Sequence, residues 1–214
     1  LKRMSGLFSE RRLRLMFLAS AVRCTDTQFR ALHDIGRDCA YILDLPKVPE
    51  IYVQQDPVAR AQAIGFDEPF IVVSTGMLHK LGGDEVAAVL AHERSHVRAR
   101  HDLLVEFFTV LHTAMPERLR QDSVLAEVHL LAEVLADRAG ARVAGRVQMG
   151  RALVALASSP HPQATLGAGA NTPSAASVRL RLLTEADERD WLMVATMVGY
   201  ALLAVTLPIA AVVW

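Results

Sequence analysis

Two histidines one helical turn apart, with a glutamate directly after the first, are the residues best suited to chemistry. His92, Glu93 and His96 stand in the segment AHERSH, within a helix predicted from residue 84 to about 100. Residues four apart share one face of a helix, so both imidazoles can bind one metal ion. Neutral imidazoles suit zinc, which lowers the pKa of a bound water toward about 7. Glu93, about 100° further round, can take the proton of that water as it attacks a carbonyl.

The alternative is a chance match, because short motifs also occur without function. In that case the segment is a solvated polar stripe near a basic helix end that carries Arg94, Arg98 and Arg100. A hydrolytic zinc site needs a third protein ligand and an open fourth position. A third ligand elsewhere in the chain would therefore favour a zinc site over a chance match.

A second predicted helix, residues 124–144, supplies a candidate. With Glu133 at the centre of one face, His129 and Asp137 lie within about 40° on either side. An amphipathic helix has one polar face, whereas this helix has two, separated by Leu, Val and Ala. One face can be solvated, and the other must meet something polar in the interior, which a zinc ion bound by Glu133 would provide. The opposite polar face, about 120° to 180° away, carries Glu127, Arg138 and Arg142.

The two neighbours of Glu133 have different predicted roles. Asp137 can accept a hydrogen bond from the outer nitrogen of a ligating histidine, as carboxylates around metal sites do. His129 either lines the cleft and stabilises an oxyanion or is a packed histidine. His101, with Asp102, is expected to end the first helix. No competing ligand spacing is found among His33, His79, His101, His112 and His161.

Together the two segments resemble the HExxH…ExxxD signature of gluzincin zinc metallopeptidases. HERSH is followed by EVLAD at residues 133–137. The stretches AQAIGFDEPFIVVSTGML and LGGDEVAAVLAHERSHVRARHDLL resemble metallopeptidase families 48 (HtpX-like and CAAX-prenyl-protease-like) and 56 (the beta-lactam sensor-transducer type). The resemblance covers roughly residues 25–145.

The resemblance implies a role for each matching residue. His92, His96 and Glu133 would bind one zinc ion per chain, and Glu93 would be the catalytic base. The aspartate of the family pattern corresponds to Asp137. The edge strand that binds substrate backbone in these families would correspond to Ala61, Gln62, Ala63, Ile64 and Gly65.

One feature departs from the HtpX-like pattern. HtpX-like proteins usually carry membrane spans between the two motifs, whereas here only 37 positions separate His96 from Glu133. The apolar run Leu103–Met115 is too short to span and carries Glu106 and His112. This spacing favours the sensor-transducer layout or a member of family 48 without intervening spans.

Composition excludes some other functions. The 214 residues carry 23 basic and 23 acidic side chains, so the net charge is zero and gives no electrostatic case for nucleic acid. The two cysteines, Cys24 and Cys39, form no Cys-x-x-Cys pattern, so neither a disulfide framework nor a thiolate metal cage is expected. The start at Leu1 suggests a segment of a longer protein.

The C-terminal run from Trp191 to Trp214 carries no charge. An apolar run of this length predicts a membrane-spanning helix, and a buried core helix is the alternative. Basic residues near a span tend to stay in the cytoplasm. We therefore predict an integral membrane protein whose zinc domain is cytoplasmic, on the evidence of Arg179, Arg181 and Arg189.

The predicted fold class is α+β, a mostly helical zincin-like domain with a small sheet and a C-terminal transmembrane helix. The boundaries are a basic segment at 1–24, the metallopeptidase domain at 25–157, a linker and juxtamembrane segment at 158–190, and the span at 191–214. Strands are predicted at Ile51–Val53, Ala61–Phe66 and Phe70–Ser74.

These expectations indicate a membrane-attached zinc metalloendopeptidase with a protein or peptide substrate. Within the same class, the alternative is a sensor-transducer protease that cleaves one specific regulator. From another class, the alternative is a catalytically silent, membrane-anchored binding module. The binding module would hold zinc with four closed protein ligands, whereas the sequence offers three good ligands and an intact Glu93.

Overall fold

The structure is a computed structural model that describes residues 12, 15–17, 19–65, 69–120, 122–158, 173–185, 196 and 199. Contacts divide the chain into one compact unit, Leu1–Leu183, and a second unit, Thr184–Trp214. All elements that position the candidate site belong to the first unit.

Four strands form one mixed sheet. They are β1 (Ala21–Arg23), β2 (Glu50–Gln54), β3 (Ala61–Ile64) and β4 (Phe70–Ser74). The spatial order is β1-β2-β4-β3, with β2 parallel to β4 and both outer strands antiparallel to their neighbours. Strand β3 therefore lies at one edge of the sheet, with β4 on one side.

The two inner strands are apolar because both of their faces are covered, as is typical of parallel strands. Ile51, Val53, Ile71 and Val73 belong to the main core beneath the helices. On the opposite face a smaller cluster of Tyr52, Phe70 and Val72 packs with Phe17, Ala21 and Ile64.

Seven helices are described, with a short 3-10 turn at Glu117–Leu119. Their bounds are α1 (Arg30–Ile42), α2 (Thr75–Lys80), α3 (Gly83–Ala99), α4 (His101–Ala114), α5 (Asp122–Ala144), α6 (Arg146–Ala157) and α7 (Pro173–Thr184).

Helix α3 begins and ends at clear signals. The Glu85 carboxylate accepts a hydrogen bond from the Gly82 backbone N–H at 2.9 Å, and Asp84 and Glu85 place negative charge in the first turn. The helix ends at Arg100, which takes the left-handed conformation with φ 51°. This residue turns the chain, and α4 begins directly afterwards at His101.

Helix α3 lies against α1, α5 and α6, and its close contact with α5 depends on a glycine. A Cβ at Gly140 would lie 2.7 Å from the Ala88 backbone oxygen and 2.5 Å from Met149 Sδ. Only a residue without a side chain fits there, so Gly140 allows the two helix backbones to approach. That approach brings Glu133 of α5 toward the histidines of α3.

The prediction of a transmembrane helix is corrected by the structure. Among the described residues no helix is both long enough and apolar enough to cross a membrane. The last helix described over its full length, α7, has 12 residues and carries Arg179 and Arg181. The α+β fold with a small sheet agrees with the sequence-based expectation, but the transmembrane helix as part of that fold is wrong. Residues 191–214 otherwise lie outside the described residues, apart from Thr196 and Gly199.

The region expected to be a linker contains a helix that packs on the domain. Helix α7 lies within residues 158–190, and its Leu183 joins a buried cluster with Ala88, Met149 and Leu153. The composition rich in Ser, Pro, Gly and Ala predicts a loop over residues 158–177, so α7 begins within that stretch, and residues 159–172 lie outside the described part.

Arg94 is a charged residue buried in the core. Its side chain is completely buried, and none of its three guanidinium nitrogens has a hydrogen-bond partner among the described residues. A Cβ at Gly36 would lie 3.2 Å from Arg94 Nη2, so the glycine of α1 gives the guanidinium its room. Burial lowers the pKa of Arg94 to about 10.

We expect Arg94→Met to stabilise the protein. Methionine keeps the length of the side chain while removing unsatisfied donors, each of which costs about 1–3 kcal/mol when buried. The free energy of unfolding, measured by urea denaturation of the zinc-free protein, should rise by about 1–3 kcal/mol. The control Arg37→Met, at an exposed position of α1, should change it by less than about 0.5 kcal/mol. A destabilised Arg94→Met variant would show that the guanidinium has a favourable partner.

Candidate metal centre and active-site cleft

The two histidines of the HExxH motif face each other across one turn of α3. Their Nε2 atoms lie 3.1 Å apart, and the ring centroids are 4.8 Å apart. His92 is buried, with 7% of its surface exposed, and His96 is half-buried. The Nε2 atoms of both rings therefore point toward a common position.

Glu133 of α5 completes this arrangement. Its Oε2 lies 3.5 Å from His92 Nε2, and its Oε1 lies 3.4 Å from His96 Nε2. One donor atom from each of the three residues lies within 4.8 Å of the others. The predicted ligand set is thus brought together by two helices that are far apart in sequence.

The donor spacing fits zinc. In a tetrahedral site with zinc–nitrogen and zinc–oxygen bonds of about 2.0–2.1 Å, neighbouring donors lie roughly 3.3–3.4 Å apart. The 3.1 Å between the two nitrogens is close to that value, and Glu133 brings one oxygen to 3.5 Å from His92 Nε2 and its other oxygen to 3.4 Å from His96 Nε2. Two imidazole nitrogens and one carboxylate oxygen are also the donor types that zinc takes in catalytic sites.

Asp137 lies behind His92, one turn along α5 from Glu133. Its Oδ1 is 2.9 Å from His92 Nδ1, and its side chain is almost completely buried. A carboxylate at this position fixes the ring orientation and leaves Nε2 as the inner nitrogen.

The two carboxylates make the site favourable for a cation. Burial alone would lower the pKa of His92, but the hydrogen bonds and charges of Asp137 and Glu133 raise it to about 10. Burial alone would raise the pKa of Glu133, but His92 and Arg179 lower it below its usual range. The field that favours a proton here would also favour a metal ion.

Glu93 lies on the cleft side of α3 and contacts the edge strand. Its Oε2 accepts a hydrogen bond from the Ala63 backbone N–H at 2.8 Å. Burial raises the pKa of Glu93, and this effect is opposed by the neighbouring His92 and by the Ala63 hydrogen bond. A carboxylate with a raised pKa is a better proton acceptor and donor near neutral pH.

Arg179 of α7 is a site residue that the sequence did not identify. Its Nε and Nη2 donate to the two carboxylate oxygens of Asp137 at 2.8 and 2.7 Å, and its Nη1 lies 3.0 Å from Glu133 Oε2. Only 5% of its surface is exposed. The sequence predicts a charge that flanks a membrane span, whereas in the structure Arg179 neutralises the two acids of α5. Nothing in the sequence distinguishes it from Arg181, which is exposed.

His101 also contacts the site. Its Nδ1 lies 3.0 Å from His96 Nδ1, the outer nitrogen of that ring, and the residue is buried. The sequence pattern predicts only that His101 ends the helix. Its position follows from the left-handed Arg100, a conformation that is uncommon for a residue other than glycine and hard to predict.

These residues line a cleft with a volume of about 470 Å³. Strand β3 forms one wall with Ala61, Gln62, Ala63 and the adjoining Gly65, while Ile64 packs in the cluster on the far face of the sheet. His129 lines the same cleft. Apolar residues that also line the cleft are Ala132, Leu153, Leu156 and Ala176.

Comparisons with known proteins cover the part of the site that lies on α3. Residues 26–124 match the family model described as Peptidase family M48. The plastoglobule-localized metallopeptidase 48 of Arabidopsis thaliana is 34% identical over 112 residues, 51% of this chain and 32% of that protein. A protease HtpX homolog of Caldanaerobacter subterraneus is 36% identical over 93 residues, 42% of this chain and 31% of that protein. Protease HtpX of Shewanella sp. (strain W3-18-1) is 49% identical over 53 residues, which are 24% of this chain and 18% of that protein.

This part of the chain is similar to metallopeptidases. The predicted resemblance to family 48 is confirmed by the match of residues 26–124, just under half of the chain, and by the HtpX relatives. The chain spans about a third or less of the length of these relatives. The family match ends at residue 124, so the placement of Glu133 and Asp137 rests on their geometry.

Proposed function

We propose that the chain is a zinc metalloendopeptidase in which His92, His96 and Glu133 hold the metal and Glu93 is the general base. The observation that carries this proposal is the convergence of one donor atom from each of three residues within 4.8 Å, with the Glu93 carboxylate lining the same cleft. The bound zinc would polarise a substrate carbonyl and lower the pKa of a water molecule.

Glu93 performs the proton transfers in this proposal. It accepts a proton from the attacking water and passes it to the amine nitrogen of the broken peptide bond, so that each cycle returns Glu93 to its ionised state. The nearby Ala63 N–H holds one carboxylate oxygen and so limits the rotation of the side chain. Asp137 and Arg179 keep His92 and Glu133 in place.

Strand β3 is positioned to hold an extended peptide. The Arg60 carbonyl accepts from Ser74 on the β4 side, whereas the Ala63 N–H points to Glu93 on the other side. Backbone groups alternate along a strand, so those of Ala61 and Ala63 face the cleft. A substrate strand added at this edge would present its backbone beside Glu93, a known mode of peptide recognition.

Removal of the metal tests the proposal. Cleavage of an unfolded protein such as casein should fall to the level of a heat-inactivated sample after treatment with 1,10-phenanthroline, because the water and carbonyl are then no longer activated. Addition of zinc should restore cleavage. The control is addition of zinc to the heat-inactivated sample, which should not cleave. Cleavage that persists in metal-free protein would contradict the proposal.

Two alternatives remain distinguishable from this function. A sensor-transducer protease would use the same site on one regulator, so casein cleavage by the chain speaks against it. A silent binding module requires a fourth protein ligand, and within the described ranges the metal-binding group consists of three residues. Location at a membrane, with the domain in the cytoplasm, stays a prediction from the sequence.

A further inference from the structure

The outer nitrogens of the two candidate ligand histidines have different partners. His92 Nδ1 lies against the Asp137 carboxylate, while His96 Nδ1 lies 3.0 Å from the Nδ1 atom of a third histidine, His101. The rings of His96 and His101 stand nearly perpendicular, with an angle of 84° between their planes. His101 is only 5% exposed, so this contact is inside the protein.

The chemistry of the pair determines which nitrogen carries the proton. His96 Nε2 faces His92 and Glu133, so this nitrogen must offer its lone pair to a metal. The proton of neutral His96 then lies on Nδ1 and needs an acceptor. Among the described residues, the atom that contacts it is His101 Nδ1, which can accept only if His101 carries its own proton on Nε2.

We propose that His101 is a positioning residue of the metal centre, which accepts the Nδ1–H of His96 and thereby fixes this ligand in its metal-binding tautomer. The inference rests on the proposed metal site. His101 acts on His96 as Asp137 acts on His92, so each histidine ligand has one buried outer partner. The left-handed turn at Arg100 places this partner, because it starts α4 directly after α3.

Replacement of His101 by leucine and by asparagine tests the proposal. The asparagine Oδ1 lies at nearly the same distance along the side chain as His Nδ1 and can accept the same hydrogen bond, whereas leucine cannot. Loss of an outer partner typically weakens metal binding by about 10–100-fold. We expect that loss in His101→Leu and affinity within about threefold of wild type in His101→Asn, measured by competition with a zinc-binding dye.

The exposed His79 on α2 provides matched controls, because His79→Leu and His79→Asn should both bind zinc as wild type does. Equal affinity of wild type and His101→Leu would overturn the inference. Equal losses in His101→Leu and His101→Asn would also overturn it, because the role would then be packing alone. If wild type itself fails to bind zinc, the proposed function fails before this inference is reached.

A measurement on the unaltered chain covers the case in which His101→Leu does not fold. Nitrogen-15 NMR of the zinc-loaded protein, labelled at histidine, distinguishes the two neutral tautomers. His96 should carry its proton on Nδ1, and His101 should carry its proton on Nε2. A proton on Nδ1 of His101 would contradict the proposal, because that nitrogen could not then accept.

Discussion

Glu93→Gln is expected to lower the kcat for peptide hydrolysis by about 10²–10⁴-fold while zinc binding and the fold are retained. Glutamine has the shape of glutamate but cannot accept the proton of the attacking water. Its amide oxygen can still accept the Ala63 N–H, so the edge strand should keep its position beside α3. The proposed ligands His92, His96 and Glu133 are unchanged, so the zinc content should equal that of wild type.

The measurement is the initial rate of casein cleavage together with zinc analysis of the same samples. Glu106→Gln on the exposed side of α4 removes an equal charge outside the site and should cleave at the wild-type rate. Equal rates for wild type and Glu93→Gln would assign the activity to other residues. Loss of zinc from Glu93→Gln would show that Glu93 is needed for metal binding, in contrast to its proposed role.

Local periodicity explains why the donors could be predicted. The spacing of His92 and His96 places them on one face of any helix, and the same rule places Asp137 one turn from Glu133. The polar second face of α5 also indicated that these acids meet something polar inside the protein. In the structure this face meets α3, where the three donors converge.

Residues that depend on long-range packing could not be predicted in this way. Arg179 reaches the site from α7, beyond a stretch whose composition predicts a loop, and its sequence neighbourhood resembles that of the exposed Arg181. His101 reaches His96 only because Arg100 adopts an uncommon backbone conformation. Hydrophobic periodicity does not predict the contact of Arg179 or of His101 with the site.

The error about the transmembrane helix has a different origin. Composition reports how apolar the run 191–214 is, and an apolar run of that length predicted a span. No helix among the residues that the structure describes meets the requirement for length and hydropathy. One of the three arginines expected to flank the span, Arg179, is instead buried against Asp137 and Glu133.

Glu133→Ala is expected to weaken zinc binding by more than about 100-fold, because even the loss of an outer partner typically costs 10–100-fold. The variant leaves two imidazoles, too few for a stable tetrahedral protein site. The fold should persist, since Arg179 keeps both of its hydrogen bonds to Asp137. Glu127→Ala, on the exposed face of the same helix, is the matched control and should bind zinc as wild type does.

The most direct test of the central claim is the zinc content per chain of wild type, Glu133→Ala and Glu127→Ala, determined by mass spectrometry after dialysis against a weak chelator. The proposed site predicts about one zinc per chain in wild type and Glu127→Ala, and almost none in Glu133→Ala. Equal zinc content in all three proteins would contradict the claim, because the metal would then be held by residues other than His92, His96 and Glu133.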